Sequence, residues 1–247
     1  MRTYLTAALV GVLVLAAGAR ADDDSKAIIA KAIKAHGGEE VKSKFKAGQT
    51  KAKGKIEILG GLDFTQESSF MLPDKFKEAV DMEVMGQKVH VVTVYDGTKL
   101  QIEANGQAVP VEDKIKDVIK NTPYVMKVSQ MVPLLKDKDF ELSNLGEVKV
   151  DGKPAVGVLV KSKGKNDVSL FFNKETGLLT KVEHRTVDPM TGNEITEERI
   201  ITEYGKTDDV PTPKKLVINH DGNKFMEVEV IETKQLEKID ESEFAKP

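Results

Sequence analysis

Histidines are the side chains best suited to acid–base or metal chemistry at neutral pH. The four histidines of this chain are spread along the sequence. They are His36, His90, His184 and His220. No H-x3-H or H-E-x-x-H spacing occurs and cysteine is absent, so a zinc site is not indicated. The G-x-S-x-G, P-loop and G-x-G-x-x-G patterns of acyl transfer and nucleotide binding are missing too. The acidic pairs Glu197-Glu198 and Asp208-Asp209 are interpreted as solvated strand and loop residues, because this is a simpler explanation than a pair of hydrolytic carboxylates. The sequence therefore predicts no catalytic residue, no metal site and no cofactor.

Apolar side chains are better candidates for a functional surface. Phe64, Phe70 and Phe76 alternate with polar residues and are expected on neighbouring strands, facing the same way. If the sheet is too strongly curved for thin helices to fill, these rings line an apolar groove beneath a cover. If the helices pack closely, the same rings are ordinary core. We predict a groove whose wall comprises Ile56, Ile58, Phe64, Phe70, Phe76 and Val80.

The elements that position these rings are predicted from turn chemistry. Short alternating apolar and polar runs are separated, about every ten to thirteen residues, by turn signals. Four of these signals are Asp-Gly or Asn-Gly pairs: Asp96-Gly97, Asn105-Gly106, Asp151-Gly152 and Asp221-Gly222. Such pairs accept the positive φ angles of type I′ hairpin turns. The pattern predicts one large, curved antiparallel sheet.

Helical periodicity appears in two parts of the chain. A helix is expected from the acidic residues 22–24 and Ser25 to the glycines after His36, followed by a short helical turn over residues 39–45. Residues 111–138 lie between the two halves of the sheet and predict two short amphipathic helices, interrupted at residues 121–123. We expect this insert to cover the groove with Ile115, Val118, Ile119, Val128 and Met131.

Residues 1–21 have the features of a secretory signal peptide. Arg2 precedes an apolar run, and Ala19-Arg20-Ala21 forms an A-x-A cleavage site. The apolar run is short for a membrane span, and no later segment reaches that length. Loss of Arg2 and Arg20 moves the net charge from −3 to about −5. Acidic and basic residues are interleaved, so no nucleic-acid-binding face is indicated.

Several ordered motifs resemble the LolA/LolB-type lipoprotein-sorting superfamily. Residues 72–77, with Pro73-Asp74 and Phe76, resemble its Pro-Asp-x-Phe turn, and residues 94–100 resemble its Asp-Gly-Lys hairpin. Residues 168–179, 210–214 and 239–244 resemble its later strand, its Val-x-x-Pro-x-Lys entry and its closing Asp-x-x-x-Phe. The resemblance runs the length of residues 22–247. It departs from the family at Leu72, where a basic residue is frequent, and in the absence of tryptophan.

The resemblance implies an α+β fold. Its sheet is expected to be an unclosed β-barrel of about eleven antiparallel strands, with helices across the open side. Residues 22–247 are then a single LolA-like half-barrel domain that follows the signal peptide.

It also implies a soluble periplasmic or secreted carrier that holds acyl chains or a lipoprotein and catalyses no reaction. Membrane-associated donor or acceptor proteins are the partners such a carrier needs, and a monomer is expected. The alternative is an envelope scaffold or sensor with a solidly packed sheet and no lipid cavity. A third reading, an enzyme acting on envelope lipid or polysaccharide, has no residue-level support.

Overall fold

The structure, a computed structural model, describes residues 16–58, 60–188 and 191–247, with side chains from residue 24 onwards. Most of the predicted signal peptide lies outside these residues, so its cleavage stays a prediction. The helices are α1 (Ala16–Ala35), α2 (Gly38–Lys44), α3 (Asp113–Ser129) and α4 (Val132–Lys136), and a 3-10 turn spans Glu241–Phe244. None of the described helices combines the length and apolar character that a bilayer crossing needs.

Helix α1 begins earlier than predicted but ends as predicted. It starts at Ala16, so the acidic residues 22–24 lie inside the helix instead of capping it. The alanine-rich residues ahead of them have high helix propensity, which extends the helix towards the N-terminus. At the other end Gly37 adopts a left-handed conformation with φ of 96°, and α2 follows directly.

The helical insert differs from the prediction of two short helices broken at residues 121–123. Helix α3 continues through Pro123, which is buried together with Tyr124 and Val125. An interior proline costs about 3 kcal/mol, and burial of the apolar residues around it offsets that cost. The break comes instead at Met131, whose φ of 66° ends α3 and starts α4.

Thirteen strands are present among the described residues, two more than the resemblance implies. Their ranges, in chain order, are β1 (Ala47–Ile56), β2 (Leu62–Met71), β3 (Lys75–Val84), β4 (Gln87–Tyr95), β5 (Leu100–Ala104), β6 (Gln107–Ala108), β7 (Phe140–Val150), β8 (Lys153–Ser162), β9 (Val168–Asn173), β10 (Leu179–Val187), β11 (Glu194–Thr207), β12 (Val210–His220) and β13 (Asn223–Leu236).

The strands form one antiparallel sheet in the order β6-β5-β4-β3-β2-β1-β13-β12-β11-β10-β9-β8-β7. Strand β1 pairs with β13, so the first and last strands meet in the middle and β6 and β7 are the two edges. The sheet is therefore an unclosed barrel, as expected. The insert of α3 and α4 joins β6 to β7 and must pass from one edge to the other. It covers one face of the sheet for this topological reason.

The main core lies between this face, which we call the inner face, and the helices. Val168, Leu170 and Phe172 alternate along β9 with exposures of 0–1%, and they pack with Ile29 of α1 and Val128 of α3. Helix α1 contacts β7 and β8, and α3 contacts β9 and β10. The helices therefore pack most closely over the β7–β10 part of the inner face.

A second core lies on the outer face, under the C-terminal segment. Phe244 is 1% exposed and packs with Ile239 against Val92, Val94 and Ala47. Strand register places Val92 and Val94 on the opposite side of the sheet from Phe64 and Phe70. Phe244 therefore holds the C-terminal segment against the outer face of the sheet.

Candidate functional site

A cavity of about 330 Å3 lies where the inner face is not filled by the main core. Helices α2 and α3 form one side, and strands β1, β2 and β10–β13 with the β11–β12 turn form the other. Apolar side chains dominate the wall, among them Val41, Phe45, Phe70, Met126, Met131 and Ile201. Ligand pockets in proteins usually measure about 300–1,000 Å3, so this cavity can hold a small ligand.

Glycines on β1 explain why the phenylalanine rings do not fill this space. Gly48 pairs with Phe70 across the β1–β2 ladder, and a Cβ at Gly48 would lie 2.6 Å from Cε1 of that ring. Gly54 pairs with Phe64 in the same way, with a corresponding distance of 2.7 Å. The rings therefore lie over the glycines of the neighbouring strand. Phe70 forms part of the cavity wall without filling the cavity.

The structure places five of the six predicted wall residues on one face but brings only Phe70 to the cavity. Ile56, Phe64 and Phe76 are on the inner face and are 5–9% exposed. Val80 is partly buried on the same face, opposite Gln66. Ile58 lies in a bend beyond the end of β1.

The predicted cover residues divide into three groups. Met131 is 1% exposed and lines the cavity, whereas Val128 is fully buried in the main core. Ile115, Val118 and Ile119 lie in the first half of α3, are partly buried and are not among the cavity-lining residues. The second half of α3 supplies Val125, Met126 and Ser129 instead, together with Gln130 directly after the helix. The cavity is therefore lined by the C-terminal part of α3, whereas Ile115, Val118 and Ile119 lie in its first half.

A wider depression of about 710 Å3 lies around Gly54 and Phe64. Charged residues of both signs surround it, namely Lys53, Lys55, Asp63, Asp81, Lys215, Glu227 and Glu229. Lys53 pairs with Glu229 at 3.4 Å, which is typical of the charged ladders on this sheet. The depression is more open and more polar than the smaller cavity, so it is less suited to an apolar ligand.

Polar groups at one end of the cavity tie α1 to the sheet. The His36 Nδ1 atom is 2.8 Å from the Ala32 carbonyl oxygen, and Nε2 is 3.2 Å from the Tyr204 hydroxyl. Tyr204 donates a hydrogen bond to the Leu179 carbonyl oxygen at 2.7 Å. Burial lowers the pKa of His36 to about 4 and raises that of Tyr204, so both side chains are neutral at pH 7.

A charged cluster on the inner face borders the cavity through Arg199. Arg199 Nε donates to Glu197 Oε1 at 2.6 Å, and its charge also acts on Glu78 of β3. Burial raises the pKa of Glu78 in spite of Arg199 and of a hydrogen bond from the Gln66 amide. Strand pairing places His184 opposite Glu197, and burial lowers the pKa of His184 to about 4.

The histidines do not form a metal site among the residues that the structure describes. His220 stacks on Phe225 with ring centroids 4.0 Å apart, and its Nε2 is 3.6 Å from Glu197 Oε2. His90 is on another strand, where its Nδ1 lies 2.8 Å from Asp81. The convergence of His184 and His220 on Glu197 was not predicted, because it depends on the pairing of β10, β11 and β12.

Solved structures share this architecture. A DUF1329 family protein of Desulfovibrio piger aligns with a TM-score of 0.50 and 11% identity over 89% of this chain and 96% of its own. A domain assigned to outer membrane lipoprotein sorting from Vibrio parahaemolyticus has a TM-score of 0.51 and 9% identity over 91% and 97%. A LolA superfamily protein of Nitrosomonas europaea has a TM-score of 0.51 and 11% identity over 90% and 97%.

No protein-family model and no curated protein matches the sequence. The similarity is therefore one of fold, at identities too low for sequence comparison to detect. It agrees with the ordered motifs that resemble the LolA/LolB superfamily. The chain has the LolA-like fold, an unclosed antiparallel β-barrel with helices across its inner face.

Proposed function

We propose that this protein is a non-catalytic carrier that holds an acyl chain of a lipid or lipoprotein in the cavity between α2, α3 and the sheet. The observation that carries the proposal is the apolar cavity of about 330 Å3 on the inner face. Phe70, Met126 and Met131 provide apolar and adaptable contacts on its two sides. Two structural neighbours are assigned to lipoprotein sorting and to the LolA superfamily, which is in keeping with this role.

The energetics of acyl-chain burial are sufficient for such a carrier. Each methylene group removed from water contributes about 0.8 kcal/mol, so a dozen contribute roughly 10 kcal/mol. Opening the helices over the cavity subtracts from this value. Release therefore requires a partner that competes for the helices or for the cargo. A donor or acceptor protein at a membrane has this property.

The site of action that fits the proposal is the periplasm or the extracellular space. The signal-peptide features of residues 1–21 support export, and the absence of cysteine means that folding needs no disulfide in an oxidising compartment. We expect the mature carrier to be a monomer. A scaffold with a solidly packed sheet is the weaker candidate, because the cavity leaves the inner face incompletely filled.

Mass spectrometry of an organic-solvent extract of the natively purified protein tests the proposal. We expect acyl-chain lipid in the extract of the wild-type protein. Phe70→Asp places a carboxylate in the cavity wall and should abolish lipid co-purification, because a buried unpaired charge is costly and repels apolar cargo. Circular dichroism and thermal unfolding of the lipid-free proteins establish that the variant is folded.

Ile231→Asp is the matched control for this experiment. Ile231 lies on β13, is 57% exposed and is not part of the cavity wall, so its variant should retain the lipid. The carrier proposal is wrong if wild-type protein yields no lipid and also fails to bind a fluorescent fatty acid. Equal lipid loss in both variants would assign the effect to general surface charge.

A further inference from the structure

The wall of the 330 Å3 cavity has an unbalanced charge. Its lining, as far as the structure describes the chain, includes Lys42, Arg199 and Lys234 but no aspartate or glutamate. The protein as a whole carries a net charge of −3, so a wall with only basic ionised residues runs against its composition. The wider depression around Gly54, in contrast, is lined by both signs.

Two of these three cations already have carboxylate partners. Arg199 Nε is 2.6 Å from Glu197 Oε1. The carboxylates of Glu197 and Glu78 raise the pKa of Arg199. Lys234 Nζ is 3.3 Å from Glu232 Oε1. Their charges are therefore balanced by residues of the protein itself.

Lys42 is the exception. It lies on α2, is partly buried, and makes no hydrogen bond or ion pair with any described residue. Its positive charge contributes to the lowered pKa of His36. Burial also lowers the pKa of Lys42 itself, to about 8. An ammonium group that is partly removed from water without a partner is unfavourable, so the partner of Lys42 is expected to come from outside the chain.

We propose that Lys42 is a head-group site, at which its ammonium group binds the carboxylate of a single-chain amphiphile of the fatty-acid class. The acyl chain of this ligand occupies the apolar part of the cavity, against Phe70 and Met126. This inference rests on the proposed carrier function and specifies the ligand class of the same cavity. A single unpaired cation matches the single charge of a carboxylate, and a volume near the lower end of ligand pockets matches one chain.

Displacement of the fluorescent probe N-phenyl-1-naphthylamine measures the two parts of the site separately. Laurate carries a carboxylate, whereas dodecanol has the same chain length and no charge. We expect the wild-type protein to bind laurate more tightly than dodecanol at pH 7. Lys42→Gln should weaken laurate binding by about tenfold or more, the value of a charge-assisted hydrogen bond, and should leave dodecanol binding unchanged.

Lys44→Gln is the matched control on the same helix. Lys44 is 55% exposed and pairs with Glu237 at 3.3 Å on the surface, so its removal should affect neither ligand. Equal loss of laurate and dodecanol binding in Lys42→Gln would overturn the inference, because it indicates a structural role. Unchanged laurate binding in Lys42→Gln would overturn the inference too. In that case, binding of dodecanol would still support the carrier function. If neither ligand displaces the probe from wild-type protein, the carrier function itself fails.

A pH series gives an independent readout. The titratable groups that share the wall with Lys42 are His36, which follows α1, Tyr204 and Arg199 of β11, and Lys234 of β13. His36 stays neutral and Arg199 stays charged between pH 7 and pH 9. Laurate affinity should fall as the pH rises through 8 in the wild-type protein and should be insensitive to pH in Lys42→Gln. A pH dependence that persists in the variant would contradict the assignment.

Discussion

At the residue scale, two buried histidines link the stability of the fold to pH. His36 is 5% exposed and His184 is 7% exposed, and desolvation lowers the pKa of each from 6.5 to about 4. For His184 the charge of Arg199 acts in the same direction, and its buried Nδ1 atom has no hydrogen-bond partner among the described residues. Both imidazoles are therefore neutral in the folded protein at pH 7.

We predict a loss of stability on mild acidification. Above pH 6.5 both histidines are neutral in the folded and unfolded states. As the pH falls from 6.5 towards 4, the unfolded chain takes up protons that the folded chain does not. The free energy of unfolding should then decrease by at most about 1.4 kcal/mol per pH unit for each histidine. Urea denaturation at pH 7, 6 and 5 measures this slope.

Substitution of one histidine measures how much that residue contributes to the pH dependence of the free energy of unfolding. His184→Gln should reduce the pH dependence by at most about 1.4 kcal/mol per pH unit, because it removes one titrating group. His90→Gln is the control, since His90 is exposed on β4. An unchanged slope in His184→Gln would mean that His184 is not held neutral.

At the element scale, the spacing of glycines on β1 decides whether the inner face is filled or hollow. Gly48 and Gly54 lack the side chains that would hold Phe70 and Phe64 away from the strand. Glycine in a strand interior weakens the strand, and here the neighbouring aromatic rings cover the exposed backbone. The result is a strand that is stabilised by its neighbour and leaves a cavity above it.

Gly48→Ala should reduce both stability and cavity volume. The added Cβ would be 2.6 Å from the Phe70 ring and 3.2 Å from the Lys234 carbonyl oxygen, so the ring must move into the cavity. Overpacking of this kind costs about 1–3 kcal/mol. Thermal unfolding and the affinity for N-phenyl-1-naphthylamine measure the two effects. In Gly205→Ala the new Cβ has no neighbour closer than 3.7 Å, so neither quantity should change.

At the scale of the whole molecule, the two faces of the sheet carry separate hydrophobic cores, and the cavity lies on the inner face. The inner face carries the main core and the cavity, whereas the outer face is closed locally by the C-terminal 3-10 turn. Lys75 pairs with Glu241 at 3.1 Å at the border of this turn. Stability contributed by the outer core is therefore expected to be independent of ligand binding.

Phe244→Ala tests this independence. Removal of a phenylalanine that is 1% exposed should lower the free energy of unfolding by about 3–5 kcal/mol. Affinity for N-phenyl-1-naphthylamine should stay the same under conditions where the variant is folded. Lys246→Ala is the control, because the carbonyl oxygen of Lys246, which the substitution keeps, accepts the hydrogen bond from Lys77 Nζ. A large loss of probe affinity in Phe244→Ala would show that the faces are coupled.

Much of the architecture could be predicted because it depends on local chemistry. The positive φ values at Asn105, Asp151, Asp221 and the glycines that follow them agree with the turn signals. Alternation of Phe64, Phe70 and Phe76 correctly identified their shared face. The predicted break of the insert at residues 121–123 was wrong. The unfavourable effect of Pro123 on a helix is local, whereas the burial that offsets it depends on the tertiary structure.

The sequence by itself determined the strands, their turns, the face on which the aromatic rings lie and the presence of a helical insert, because each depends on residues close together in the chain. Only the tertiary structure decided where the cavity lies and what lines it. Lys42, Phe70 and Arg199 are far apart in sequence and come together through the pairing of β1 with β13 and the crossing of α3. A cavity is volume that packing leaves unfilled, and this volume depends on every element around it.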